Sequence, residues 1–242
     1  MPTFGYIILL VTTSLFFLTN EAHANIITLS PGIAYAENSG TQTLQLQNSP
    51  QDLSNQYIAN NNWNSTFALQ LFLGKEFLQR EYTKLHLGLT LGYFDDIQQN
   101  GFVNQFALPD FDNLNYQYKI KSISAMASLK MFFTGNQQWQ PYIDGGVGFS
   151  NNAASDYKET PRILGAEPMS PFGNHSRNSF AYSIGAGFMY DFHKSFSVGL
   201  GYQFVNLGKA QLGTSVAQQT TQTPSVNHVL LHQLLVNITW NT

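Results

Sequence analysis

From Asn25 onward apolar residues recur at every second position, the period of a β-strand, because side chains of an extended chain point alternately to its two faces. PYIDGGVGFS (141 to 150) carries the pattern in its most informative form. Pro141, Ile143, Gly145, Val147 and Phe149 share one face, and Tyr142, Asp144, Gly146 and Gly148 the other. The same grammar recurs in NIITLSPGIAYA (25 to 36), STFALQLFLGKEF (65 to 77), YTKLHLGLTLGYF (82 to 94), FAYSIGAGFMYDF (180 to 192), FSVGLGYQF (196 to 204) and HVLLHQLLVNITWNT (228 to 242). Alternation by itself does not distinguish a soluble ligand-binding barrel from a membrane barrel. The non-apolar face decides. A soluble barrel would put Lys and Glu toward water, whereas here that face is glycine with one Tyr and one Asp, and small residues suit the inside of a narrow barrel and leave the apolar face to meet lipid.

Adding a strand from Leu114 to Phe133 gives eight strands. Along that strand the apolar set changes parity, from Leu114, Tyr116, Tyr118 and Ile120 to Ile123, Ala125, Ala127, Leu129, Met131 and Phe133, which predicts a bulge near Lys121 to Ile123 with both sets facing outward. Pro31 cannot donate to a ladder, so a bulge or an early strand end is expected there. Long connections (37 to 64, 95 to 113, 151 to 177, 207 to 227) alternate with short ones (LQRE, TGNQQ and His193-Lys194), so all the long ones fall at one end. The expected fold is all-β: an eight-stranded antiparallel up-and-down transmembrane β-barrel with four long external loops, three short periplasmic turns and periplasmic termini. Aromatics sort with it. Tyr93, Tyr116, Phe149, Phe180 and Phe204 lie near the long-loop ends of their strands, and Phe133, Tyr190, Phe192, Phe196 and Trp240 near the short-turn ends, the two girdles expected at headgroup level.

Composition agrees. Charged residues are 10% against roughly 25% for soluble domains, aromatics are 14%, and the net charge of −3 offers no basic stripe for nucleic acid. The absence of cysteine excludes disulfides, thiolate metal sites and Cys nucleophiles. FGYIILLVTTSLFFL (4 to 18) is an apolar run shorter than the roughly 20 residues of a spanning helix, and it is followed by the small-x-small pattern Ala22-His23-Ala24. Residues 1 to 24 are expected to be a secretory signal, although MPT lacks Lys and Arg, and 25 to 242 the barrel domain.

PYIDGGVGF, AYSIGAGFMYDF, SVGLGYQFVNLGK and LLVNITW resemble the outer-membrane β-barrel domain family, which includes opacity-type proteins and the eight-stranded transmembrane domain of outer-membrane protein A. The resemblance covers the chain from about residue 26 to its end. It implies a surface-exposed integral outer-membrane protein in adhesion, surface protection or envelope integrity, folded by the barrel-assembly machinery. Family members usually end on an aromatic, whereas here Trp240 is followed by Asn241 and Thr242. Such motifs identify a fold better than a function.

Folding the hairpin about TGNQQ brings Lys130 opposite Asp144, both inward, as an interior polar pair that would help fill the lumen. Histidines are the obvious catalytic residues for the competing class, a lipid A deacylase or phospholipase: His86 on an inward face, His175 beside Ser176, and His228 and His232 at the last strand. No nucleophile elbow occurs, and residues four apart on a strand lie about 13 Å from each other, too far for one zinc. GGVG and GAG precede no helix that would hold a phosphate. Asn64-Ser65-Thr66, Asn174-His175-Ser176 and Asn237-Ile238-Thr239 match the glycan acceptor pattern and are read as chance. The expectation is a non-enzymatic monomer without cofactor or metal. Its partners are outer-membrane lipids and lipopolysaccharide, with host surface molecules as candidates for the Asn/Gln-rich loops.

Overall fold

A backbone that crosses lipid has no water for its N–H and C=O groups, so strands must close on one another. The computed structural model describes residues 25–38, 40–47, 53–135, 138–193, 195–214 and 220–241. The expected signal segment, Asn136 and Gln137 of the TGNQQ turn, and Lys194 lie outside the described residues. Eight long strands form the wall: β1 (Asn25–Asn38), β4 (Asn62–Arg80), β5 (Thr83–Asn104), β6 (Asp112–Phe133), β7 (Trp139–Pro161), β8 (His175–His193), β9 (Phe196–Asn206) and β12 (Leu230–Asn241). Each pairs antiparallel with the next, and β12 returns to β1, closing the ring. Two small hairpins complete the long-loop end. β2 (Thr41–Gln45) and β3 (Ser54–Ala59) extend the sheet from β5, and β10 (Ala210–Gln211) pairs with β11 (Ser225–Val226).

Much of what the sequence assigned to loops is therefore wall, since β5 runs on to Asn104 and β7 to Pro161. Pro31 neither bulges nor ends its strand. β1 passes through Pro31↔Leu69 to Asn38, and the missing rungs fall on the β12 side, between Leu29↔Ile238 and Gly32↔Leu235.

The register change predicted on β6 is corrected. β6 runs without a break from Ile120↔Ala154 to Ile123↔Asn151, and the bulges sit on its neighbours, at Asp95–Asp96 of β5 and Asp156–Tyr157 of β7. Leu114, Tyr116, Tyr118 and Ile120 are all buried inside the barrel, so Tyr116 is not a girdle residue. The apolar set changes face because the surroundings of the wall change. Beside lipid the apolar side chains point outward; beyond the bilayer they point inward, as in any soluble sheet.

Three layers fill the interior. At the short-turn end Ile26, Phe72, Phe132, Tyr142 and Met189 pack together. Above them lies a polar layer. Gln70 Nε2 donates to Gln203 Oε1 (2.7 Å) and Gln233 Oε1 (3.0 Å), Gln203 Nε2 to Asp144 Oδ2 (2.7 Å), Ser30 Oγ to Asn237 Oδ1 (2.6 Å), and Asn237 Nδ2 to the Tyr142 hydroxyl (2.7 Å). The inward glycines make room for these side chains: a Cβ on Gly201 would stand 2.1 Å from the Tyr142 hydroxyl. The long-loop end holds the largest core, including Phe94, Ile97, Val103, Leu114, Ile120, Leu207 and Leu231.

Candidate binding site at the long-loop end

Two bulges decide which side chains reach the interior above the polar layer. Without the extra residue on β7, Asp156 and Lys158 would follow Ala154 inward; with it, Tyr157 and Glu159 do. On β5 the bulge likewise turns Ile97 and Gln99 inward and leaves Asp95 and Asp96 outside. Those two carboxylates meet Lys121 at 3.1 and 3.3 Å and Lys119 at 2.7 Å across the outer surface.

The result is a closed circuit of rings. Tyr57 meets Tyr116 edge-on at 5.5 Å, Tyr116 stacks on Tyr118 at 6.3 Å, Tyr118 approaches Tyr157 at 6.4 Å, Tyr157 meets Phe172 at 4.9 Å, and Phe172 returns to Tyr57 at 6.4 Å. Glu159 is satisfied within this cluster, accepting from Tyr157 (2.5 Å) and Tyr57 (3.2 Å) at Oε1 and from the Met169 amide (2.8 Å) at Oε2. Burial, reinforced by the Glu159 charge, raises the Tyr57 and Tyr157 phenols above their ordinary value, so both stay donors.

Beside the cluster lies a cavity of about 540 Å³, bounded by β2, β3, β5 and β6 on one side and by Lys209 and the 222 to 230 segment on the other. Gln42 closes it. Its Nε2 donates to the Thr223 carbonyl (3.2 Å) and its Oε1 accepts from the Ser225 amide (2.9 Å). Tyr57, Tyr116, Tyr118 and Gln99 line it; Gln99 is 4% exposed. The hydroxyls of Tyr116 and Tyr118 and the side-chain amide of Gln99 make no hydrogen bond within the described residues. Burial pushes the Tyr116 phenol up to about 12 and raises Tyr118 as well. Lys209 lines the same space, and among the described residues it has no ion-pair partner and no carboxylate lines the cavity.

The residues singled out in the sequence lie elsewhere. Lys130 and Asp144 are cross-strand partners in the polar layer, but they form no direct ion pair. The Lys130 ammonium stands over the Tyr142 ring at 4.7 Å and the Phe72 ring at 5.3 Å, while Asp144 accepts from Gln203. On the outer surface Phe149, Phe180, Tyr182, Phe204, His232 and Trp63 form one continuous band of ring contacts, with Tyr93 exposed at the same end of its strand. Trp139, Tyr190, Phe192, Phe196 and Trp240 form a second, with Phe133 exposed beside the adjoining turn. Trp139 and Phe149 are ten residues apart on β7; at about 3.3 Å per residue and a tilt near 40° that is about 25 Å, the height of the apolar band of an outer-membrane barrel. His86 is buried at the short-turn end, edge-on to Phe132, and His175 and Ser176 are exposed at the start of β8. His228 contacts Asn206 and His232 the Tyr202 hydroxyl; no histidine is hydrogen-bonded to a serine or carboxylate among the described residues.

A family model described as the outer membrane protein beta-barrel domain matches residues 13–229. The chain belongs to that family. No curated protein sequence matches it. Among solved structures, the outer membrane protein OprG from Pseudomonas aeruginosa is similar at a TM-score of 0.54 and 14% identity, over 90% of this chain and 97% of its own. Neisserial surface protein A gives 0.48 at 10% identity, over 91% and 99%, and the Escherichia coli outer membrane protease OmpT 0.47 at 8%, over 93% and 99%. At these identities the likeness is one of fold.

Proposed function

We propose that this outer-membrane barrel is a non-catalytic surface protein, exported by the signal at 1 to 24, with its long-loop end outside the cell and its short turns and termini in the periplasm. It acts in recognition or adhesion, through the structured end. The observation that carries the reading is the contrast between the two interior spaces. In the polar layer only about 20 Å³ is free beside Lys130, Asp144 and Gln203, room for about one water, whereas the mouth holds about 540 Å³ whose lining includes three polar side chains, Tyr116, Tyr118 and Gln99, without a hydrogen-bond partner among the described residues. A barrel so plugged does not conduct, but it can bind at one end.

Three measurements test it. The purified protein in planar bilayers is expected to give no stepwise conductance. Protease added to intact cells is expected to cut the segment around Leu164, which stands fully exposed. Cells whose β2–β3 hairpin and 162 to 174 segment are replaced by short turns are expected to lose attachment to host-cell monolayers; undiminished attachment refutes the recognition role. A new deacylated species in the lipopolysaccharide or phospholipid of expressing cells refutes the non-catalytic role and directs attention to the histidines.

A further inference from the structure

We propose that the mouth cavity binds an anionic saccharide, a sugar unit carrying a carboxylate or phosphate. The proposal rests on the long-loop end facing outward.

Four features of the cavity converge. First, its volume of about 540 Å³ falls within the range of small-molecule sites. Second, one wall is the Tyr57, Tyr116 and Tyr118 rings, flat amphipathic faces of the sort on which the C–H face of a pyranose packs. Third, the lining side chains with no hydrogen-bond partner among the described residues include two hydroxyls and a carboxamide, Tyr116, Tyr118 and Gln99. Hydroxyls and amides are complementary to sugar hydroxyls, which donate and accept as they do. Fourth, the charge is one-sided. Lys209 lines the space without a carboxylate partner, and the nearby carboxylate, Glu159, is already engaged by Tyr57, Tyr157 and the Met169 amide. A cationic ligand would meet an unpaired ammonium and no counter-charge. An apolar ligand would leave Gln99 and both hydroxyls unsatisfied. An anionic polyhydroxyl compound answers all three. The site is also held in shape, since Gln42 bonds the β2 wall to Thr223 and Ser225 on the opposite side.

The test uses the full chain folded in detergent, with saturation-transfer NMR and titration against three probes. These are a hyaluronan tetrasaccharide, the core oligosaccharide of the producing cell's own lipopolysaccharide, and neutral maltotetraose. Saturation transfer from the aromatic protons to either acidic probe, with maltotetraose at least tenfold weaker, supports the proposal, and which acidic probe binds tells a foreign glycan from the cell's own. Lys209→Met is expected to weaken the acidic probe tenfold or more, as loss of a charged hydrogen bond would. Tyr118→Phe keeps the ring and is expected to weaken it about two- to tenfold. Both variants are first checked for the heat-modifiable mobility of a folded barrel. Absence of transfer to both acidic probes overturns the proposal, as does equal binding of maltotetraose with no effect of Lys209→Met. Proteolysis of intact cells separates the two readings. Resistance at the 162 to 166 segment sinks the outward orientation and this proposal with it, whereas cleavage without saccharide binding sinks the saccharide alone.

Discussion

Ile120 tests whether β6 faces inward above the bilayer. It is 0% exposed and packs in the core of the long-loop end, opposite Ile97 on β5 and Ala154 on β7. Ile120→Ala removes three carbons, at about 0.8 kcal/mol each a transfer loss of about 2.4 kcal/mol. The surrounding wall is hydrogen-bonded on both sides and collapses poorly, so the cavity left behind brings the total to about 3–4 kcal/mol. The control is the next residue. Lys121 lies on the outer surface, 52% exposed and paired with Asp95 and Asp96, and Lys121→Ala is expected to cost no more than about 1 kcal/mol. The assay is reversible urea unfolding from phospholipid vesicles, followed by tryptophan fluorescence, with Trp63 on the outer surface toward the same end as the core being tested. The sequence pattern alone implied that Ile120 points outward; at this height, level with the water-facing Lys121, an outward Ile120 would stand in water and its truncation would be nearly silent. A measured loss below about 1 kcal/mol for Ile120→Ala would refute the inward packing and with it the position of the core.

Three further outcomes follow from the interior. Lys130→Met and Asp144→Asn are each expected to cost about 1–3 kcal/mol because, although no ion pair bridges them, each is the other's counter-charge across the polar layer, and the double variant is expected to recover part of the loss; additive losses in heat-modifiable mobility would show that the two charges do not interact. Gly201→Val places carbon where the Tyr142 hydroxyl lies and breaks its bond to Asn237, a loss of about 1–3 kcal/mol that urea unfolding would show; wild-type stability would mean that the ring is placed otherwise. The phenols of Tyr57, Tyr116, Tyr118 and Tyr157 are all raised, chiefly by burial. The neutral form is the one the fold favours, so their contribution is intact below about pH 10, the ordinary tyrosine value, and is lost as pH climbs toward and past the Tyr116 value of about 12. Near-ultraviolet tyrosinate absorbance should therefore lag behind that of the unfolded chain across this window, and coincident titration curves would contradict the buried cluster.

The barrel was legible because its two faces differ strongly wherever lipid touches it. Ile143, Val147 and Phe149 against Gly146 and Gly148 leave one closed solution, and the Lys130↔Asp144 register follows from the turn. What pairs of positions do not reveal is what a side chain reaches once inside. Lys130 extends over Tyr142 and Phe72 instead of to its strand partner, while Asp144 accepts from Gln203. The mouth was harder still. Tyr57, Gln99, Tyr157, Glu159, Phe172 and Lys209 come from segments read as loops, and only two bulges, invisible to a period-2 count, turn Gln99, Tyr157 and Glu159 inward. A trace existed in Tyr116 and Tyr118: tyrosines two apart, next to lysines two apart, describe a soluble sheet with its apolar face inside.

That trace also explains why the long-loop end is built as it is. On β6 the outward face reads Ile123, Ala125, Ala127, Leu129, Met131 and Phe133 below and Lys121 and Lys119 above, along one uninterrupted ladder. The switch between Ile123 and Lys121 therefore marks where lipid gives way to water, and it falls level with Asn151, two residues past Phe149 of the upper aromatic band. Beyond that line a barrel lined with polar groups would gain nothing by staying closed, because water would compete for every hydrogen bond. An apolar lining is what keeps the wall together there, and such a lining must be lidded. The β2–β3 hairpin and the 220 to 229 segment supply the lid, joined through Leu46↔Thr220 and the two bonds of Gln42. The cavity is thus a gap in a packed core, whose walls are fixed before any ligand arrives. Binding there orders little chain, and the affinity of a small ligand is spared that cost.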